Sequence, residues 1–451
     1  MALTQGDLRQ LAARGIGEAE ALRQLALLAS PPPPMRLLRP CTVGDGVLRL
    51  DAFRQAELER RGADALARLR AAKFVPASGA ASRMFKDLLE ALQQDGLPAG
   101  AAATVLEQAQ SFAFVALWLA AAGVRDARAF AMLLAKGEWR RVLESLLFAP
   151  GMDYSRLPKA YLEFHHVDGR PRTALESHWR EAAALDLKRL HVTLSPEHVD
   201  GYRALVSKVE PLLKAEGLAP TELGYSFQDP STDTLAGDGQ GGPFRDAAGA
   251  LVLRPGGHGA LLKNLQDLAQ DTDVALLKNI DNIAHPRLWP EQMRWKRILV
   301  GMLDEACGED WGRPVRVAGV VQNTGEPGGG PFWVQGPEGE SPQIVESAQV
   351  DLGDPDQARI FGTATHFNPV DLVCRLTDPK GVPFDLERYL DPAAVFVAKK
   401  SHLGRPLLAL ERPGLWNGAM AHWKTVFVEV PLETFNPVKT VVDLLKDAHQ
   451  P

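Results

Sequence analysis

The segment KFVPASGAASRMFKDLL, residues 73–89, joins a short apolar run to small residues, an arginine and a helical pattern. A strand that runs into such a loop and then into a helix presents free backbone N–H groups where the helix dipole favours an anion. Ser78, Gly79, Ala80, Ala81 and Ser82 leave room for close approach, and Arg83 can add charge-assisted bonds to phosphate oxygens. Two readings stand side by side, an ordinary strand-to-helix turn and a phosphate cradle. No Gly-Lys-Ser/Thr follows, so the segment is not a Walker loop. No G-x-G-x-x-G is present either, which argues against a dinucleotide fingerprint.

Other positions could join that loop. Lys159 follows Pro158 ahead of an apolar run and a hairpin signal at Asp168-Gly169, and reads equally as a solvated lysine. Gln228 ends the run ELGYSFQ. Gly256 and Gly257 sit in RPGGHGAL, which also reads as a turn needing positive φ. Asp281 comes two residues after the apolar run VALLKN, at the carboxyl end of a strand, where open α/β sheets bind ligands. A turn aspartate is the alternative there. Lys399-Lys400 reads as an exposed strand end, and His258 as a structural histidine. His165 and His166, adjacent on a strand, point to opposite faces and do not share a metal. Glu346, Asp371 and Glu429 are candidates for a second metal ligand or a ribose contact.

The elements that must position these groups follow from patterning. Leucines at helical spacing over residues 5–30 precede a proline run at 31–34, and DAFRQAELERRGADALARLRAA (51–72) reads as an amphipathic helix. From Arg83 to about Phe148 the chain reads as helical. RLHVTLS, ELGYSFQ and VALLKN alternate with helical or loop segments, the signature of a largely parallel sheet. From residue 313 strand signals dominate: PVRVAGVV, PFWVQG, QIVES, ARIFGTATHF, AAVFVAKK and WKTVFVEV, closed by a helix over PVKTVVDLLKDAHQ. The chain has 451 residues, 45% hydrophobic and 24% charged, with a net charge of −6; two or three domains are expected. The acidic balance and lack of a basic block exclude a nucleic-acid partner. FAFVALWLAAAGV is too short to span a bilayer, so no membrane partner is expected. Cys41, Cys307 and Cys374 match no zinc or redox spacing, as expected of a cytoplasmic protein.

Taken in order, the small-residue loop ending in Arg83, Pro158-Lys159, Gln228, the Gly256-Gly257 turn and Asp281 resemble the nucleotidyltransferase superfamily of sugar-nucleotide pyrophosphorylases. The branch of UDP-sugar and UDP-N-acetylhexosamine pyrophosphorylases is similar further on. VFVAKK (395–400), THFNPVDLVCRL (365–376, with Asn368) and FVEVPLETFNPVKTVVDLL (427–445) resemble its later motifs. From about residue 40 onward the chain also looks like a bacterial family known as a domain of unknown function. That family shares PASGAASRMFK, FQDPSTDT, RPGGHGAL, KNIDN and GLWNGAMA. The loop departs from the pyrophosphorylase pattern in keeping Gly79 alone of its usual glycines, and a helical stretch, 84–155, separates it from Pro158-Lys159.

The resemblance implies an α/β fold with a three-layer nucleotide-diphospho-sugar transferase-like core and a mostly parallel central sheet. A helical N-terminal region and insertion and a β-rich C-terminal part complete it. Residues 1–50 would be a helical extension and linker, 51–312 the core with 84–155 inserted, and 313–451 the part completing the sugar-phosphate side. By the same resemblance, Ser78 to Arg83 would hold the triphosphate. Lys159 would lie against the phosphates of nucleotide and sugar. Gln228 would meet the base, with Gly256 and Gly257 packed on base or ribose. Asp281 would hold Mg²⁺, and Lys399 or Lys400, Lys439 and Asn368 would reach the sugar phosphate. The implied reaction is a nucleoside triphosphate, UTP preferred, plus a sugar-1-phosphate giving a nucleotide sugar and pyrophosphate. Two alternatives remain. One is a glycosyltransferase on a similar fold, for which DTD at 271–273 has the letters of a metal motif but precedes the strand. The other is a catalytically silent nucleotide or nucleotide-sugar binder.

Overall fold

The computed structural model describes residues 3–79, 81–218, 221–308, 312–326, 328–336 and 339–451. The chain has an α/β architecture with a largely parallel sheet and a β-rich C-terminal part, as the resemblance implies. It divides into two compact units, each assembled from separated stretches. The first unit comprises residues 1–70, 227–276 and 298–430; the second comprises 71–226, 277–297 and 431–451.

In the first unit, strands Thr42–Val43, Gly46–Leu48, Lys424–Glu429, Val315–Gln322, His366–Arg375 and Val274–Leu277 (but for its last residue) lie side by side in that order. Val315–Gln322 runs parallel to Lys424–Glu429 and antiparallel to His366–Arg375. Its first seven residues are buried, as expected for a strand covered on both faces. The proline run follows two helices, Gln5–Ala12 and Glu18–Ala29, separated at Gly15 with φ of 74°. Thr4 and Asp7 form a capping box on the first. Leu11, Ile16, Leu25 and Leu28 then pack with Leu235 and Leu410.

In the second unit, strands Ala71–Pro76, Arg189–Leu194 and Glu222–Phe227 (but for its last residue) lie in that order, the first two parallel. Five successive residues of Ala71–Pro76 are buried, Lys73 included. The expected hairpin forms from Glu163–Val167 and Arg170–Thr173, with Asp168 and Gly169 both at positive φ. The helical stretch is five short helices, from Lys86–Gln93 to Trp139–Leu147. Trp118, within the most apolar run, is buried and donates its indole N–H to Val142 O. No helix among the described residues is long and apolar enough to cross a membrane.

Two sequence expectations are corrected. ARIFGTATHF does not form a strand over its length: helix Pro355–Gly362 occupies its first half, and the strand starts at His366. Asp354 caps that helix through the N–H groups of Asp356 and Gln357, with Pro355 at its first position. This strong start signal outweighs the strand preference of Ile360 and Phe361. The closing helix is also absent. Residues 437–450 form 3-10 turns at Val441–Leu445 and Asp447–His449. The carboxylate of Asp443 takes the N–H groups of Lys439 and Thr440, holding the chain in a local turn rather than a helix.

Candidate functional site

The loop leaves strand Ala71–Pro76 and is tied down at several points. Ala77 N–H reaches Thr193 O at 3.2 Å, and Ser195 donates its hydroxyl to Ser78 O. Ala81 N–H donates to Leu157 O at 2.9 Å, next to Pro158 and Lys159, and Met84 O accepts from Val441 N–H at 3.0 Å. The loop is therefore bonded to both segments that carry the lysines singled out above. Ala81 is buried and its N–H is spent, whereas Gly79, Ser82 and Arg83 are exposed. Ala80 lies outside the described residues. The helix does not open directly on the small residues: a 3-10 turn, Ala81–Arg83, comes first, and helix Lys86–Gln93 starts three residues after Arg83.

Lys159 opens the 3-10 turn Lys159–Tyr161, with Pro158 setting the approach. Its ammonium donates to Asp281 Oδ2 at 2.9 Å and to Val438 O at 2.6 Å. Lys439 donates to the same Asp281 oxygen at 3.3 Å. The backbone closes the arrangement, with Val438 N–H donating to Asp281 O at 3.0 Å. Asp281, Lys159 and Lys439 are thus brought together within the second unit, although they come from three separate stretches of chain. Burial raises the Asp281 pKa, but the positive charges of Lys439 and Lys159 outweigh it, and the carboxyl is held below its ordinary value. Burial lowers the Lys159 pKa, and the charge of Asp281 offsets only part of that.

One oxygen of this carboxylate is left over. Asp281 Oδ1 is buried and accepts no hydrogen bond among the described residues, while Oδ2 takes two. Among the described residues no group of three or more His, Cys, Asp or Glu side chains gathers to hold a metal. Mg²⁺ does not need one, since it keeps waters and binds through one or two carboxylates plus substrate phosphates. A single carboxylate with one oxygen unengaged fits that donor set.

In the first unit, Gln228 bonds Asp233 Oδ1 at 3.3 Å. Gly256 is held by packing: a Cβ there would lie 2.6 Å from Thr232 O and 3.0 Å from Arg412 Cδ. Gly257 has φ of 76°, which favours glycine whatever else it contacts. His258 is half-buried, accepts the N–H of Leu415 on Nδ1 and stacks on Trp416 at 4.7 Å; desolvation lowers its pKa to about 4. Asn368 donates to Glu346 Oε1 at 2.8 Å. Glu429 takes Arg49 on both oxygens at 2.9 Å and also meets His366 at 3.0 Å; the Arg49 bonds hold its carboxyl below the usual range. Lys399 and Lys400 lie exposed on strand Phe396–His402. Asp273, of the DTD motif, is engaged on both oxygens by Arg70 and on one by Thr377, a structural setting. A cavity of about 970 Å³ in this unit, lined by Trp423, Gln343 and Pro31–Pro34, includes none of the residues given a binding role above.

Sequence reasoning passed over a second cluster in the second unit. Glu181, fully buried on helix Ala174–Ala184, is surrounded by Lys73, Lys278 and Lys296. The signal was present in AAKFVP and VALLKN, where a lysine interrupts an apolar run that must be buried.

Residues 4–309 and 305–450 match the family described as "Domain of unknown function (DUF4301)", and the chain belongs to that family. No curated protein matches. Solved structures share the fold at low identity. The uridine diphosphate N-acetylglucosamine pyrophosphorylase from Trypanosoma brucei, in complex with an inhibitor, is 13% identical with a TM-score of 0.54. That match covers 98% of this chain and 79% of the other. A point mutant of UDP-glucose pyrophosphorylase from Leishmania major, in complex with UDP-glucose, is 15% identical at 0.51, covering 100% and 82%. A UDP-glucose phosphorylase from Trypanosoma brucei is likewise 15% identical at 0.51, covering 99% and 80%.

Proposed function

We propose that this member of the DUF4301 family is a nucleotidyltransferase that joins a nucleoside triphosphate, UTP by preference, to a sugar-1-phosphate with release of pyrophosphate. The observation that carries the reading is the Asp281 carboxylate. It stands in the turn that follows strand Val274–Leu277 in a pyrophosphorylase-like fold, with two lysines on Oδ2 and no described residue bonded to Oδ1. Bound Mg²⁺ would be held by Asp281 and would supply charge neutralisation at the α-phosphate.

The chain's own groups do the rest by positioning and charge. Lys159 and Lys439, which the carboxylate holds in place, would lend positive charge to phosphate oxygens. The exposed amides of the loop and the Arg83 guanidinium would carry the negative charge of the departing pyrophosphate. A sugar-phosphate oxygen attacks the α-phosphorus in line and forms the new P–O bond. The bond from that phosphorus to the bridging oxygen of the β-phosphate breaks, and pyrophosphate takes the electron pair. No protein nucleophile is needed, so alignment of the two substrates is the main demand.

Pyrophosphate release from a panel of nucleoside triphosphates and sugar-1-phosphates, with Mg²⁺ present, tests the reading. Release that is fastest with UTP and needs both substrates is the expected result. UTP binding by calorimetry with no release for any sugar phosphate would overturn it in favour of a silent binder.

A further inference from the structure

The cluster around Glu181 lies within the same unit as Asp281 and the loop. Glu181 Oε2 is 3.1 Å from Lys73 Nζ, and Oε1 is 2.9 Å from Lys296 Nζ and 3.6 Å from Lys278 Nζ. All four side chains are at most 3% exposed. Each cation sits on a different element. Lys73 is on the strand Ala71–Pro76 that feeds the loop. Lys278 immediately follows Val274–Leu277, three residues before Asp281, and Lys296 is on helix Trp289–Cys307.

Hydrogen bonds extend the cluster toward the Asp281 turn. Lys73 also donates to His178 O at 3.3 Å, and His178 Nε2 meets Ile280 O, the residue before Asp281, at 3.1 Å. For that bond to form, Nε2 must carry the proton, and Nδ1 is left buried without a partner among the described residues. Lys278 N–H donates to Phe74 O at 3.2 Å, a backbone bond beside the side-chain cluster. The helix bearing Glu181 and His178 is buried from Ala174 to Ala183, and the Glu181 side chain is 0% exposed.

A buried ion cluster is seldom the most stable filling of such a space, since apolar residues of similar volume serve as well or better. What it supplies is a fixed distance between the elements that share it. We propose, resting on the nucleotide-site reading above, that Glu181 is a positioning residue. Its carboxylate, gripped from three elements, sets the separation of the loop at residues 77–83 from the turn that carries Asp281.

The test uses the full chain with Glu181→Gln. Because that change leaves three buried ammoniums without a carboxylate, the charge-balanced double variant Glu181→Gln/Lys296→Met is made beside it. Hydrogen exchange is expected to quicken about tenfold at residues 77–79 and 278–283 and to stay unchanged in helix Trp139–Leu147. In turnover, the KM for the nucleotide is expected to rise about tenfold, with kcat per folded molecule changing less than about threefold. Exchange unchanged at both places in whichever variant folds would overturn the proposal. A loss confined to the active fraction, with KM intact, would also overturn it, because that is what a merely structural role predicts. If the unmodified protein turns over no substrate, the nucleotidyltransferase reading fails, and the exchange measurement still decides the role of Glu181.

Discussion

The ammonium of Lys159 meets Oδ2 of Asp281 at 2.9 Å across a separation of 122 residues in sequence. Both groups are largely removed from water, with side-chain exposures of 13% and 12%. The contact draws a Pro-Lys turn and a strand-end aspartate, which read separately as solvated lysine and turn residue, into one arrangement. The other carboxylate oxygen is left buried and, among the described residues, unpartnered. Several consequences can be measured.

Asp281→Asn keeps the shape of the side chain and removes its charge. Pyrophosphate release should fall by at least about 100-fold, the scale set by losing one organised electrostatic contact in an active site. Circular dichroism should show the fold retained. Equal rates in the variant and the parent would remove Asp281 from the site.

Arg83 is exposed and makes no ion pair among the described residues, so Arg83→Ala should leave the melting temperature unchanged. Its proposed task is to bind phosphate oxygens by charge-assisted bonds, so nucleotide affinity should weaken by about tenfold. Calorimetric titration with UTP and Mg²⁺ checks this. Undiminished affinity would assign the loop to folding alone.

Two glycines should part company when each is changed to alanine. At Gly79 an added Cβ meets nothing within 4 Å, so stability should hold or rise by up to about 1 kcal/mol through the unfolded chain. At Gly256 the Cβ would lie 2.6 Å from the backbone oxygen of Thr232, which cannot swing away, and a loss of about 1–3 kcal/mol is expected. Urea unfolding of the two variants gives the comparison.

Burial, only partly offset by Glu181 and reinforced by Lys278 and Lys296, lowers the Lys73 pKa to about 7. His178, on the helix that bears Glu181, is the remaining titratable group of the cluster, and burial keeps it neutral. Between pH 7 and the unfolded value of 10.5, the unfolded chain holds a proton at Lys73 that the folded chain has released. Stability should therefore rise with pH across that window, by up to about 1.4 kcal/mol per unit for this one group. Lys73→Met should flatten the slope. Urea midpoints at pH 7, 8 and 9 for both proteins decide it, and identical slopes would contradict the assignment.

Local patterning carried much of the fold. Arg189–Leu194, Glu222–Phe227 and Val274–Leu277 read as strands because each is a short apolar run between breakers. The Asp168-Gly169 hairpin was legible because I′-type turns demand such residues. Elements set by one side chain acting on a neighbouring backbone were not. Asp354 started a helix where Ile360 and Phe361 suggested a strand, and Asp443 replaced a helix with turns. Of the candidate site, the order of motifs pointed to Asp281, Lys159 and Lys439, but no spacing rule could say that both lysines would bind one carboxylate oxygen. The Glu181 cluster shows the same limit: each lysine stood out as an oddity, while the carboxylate they share lies on a helix whose burial on all sides only tertiary packing determines.

Residues 431–451 belong with a unit whose other pieces begin at residue 71, and they deliver Lys439 to Asp281. Synthesis runs in the other order. A ribosome will have made the loop, the Lys159 turn and the Asp281 turn long before residues 431–451 clear its exit tunnel. Until then Asp281 lacks one of its two cations, and Met84 O lacks the N–H of Val441. Whatever this cluster does, a nascent chain cannot yet do it, and the ability arrives in one step, once residues 431–451 have emerged.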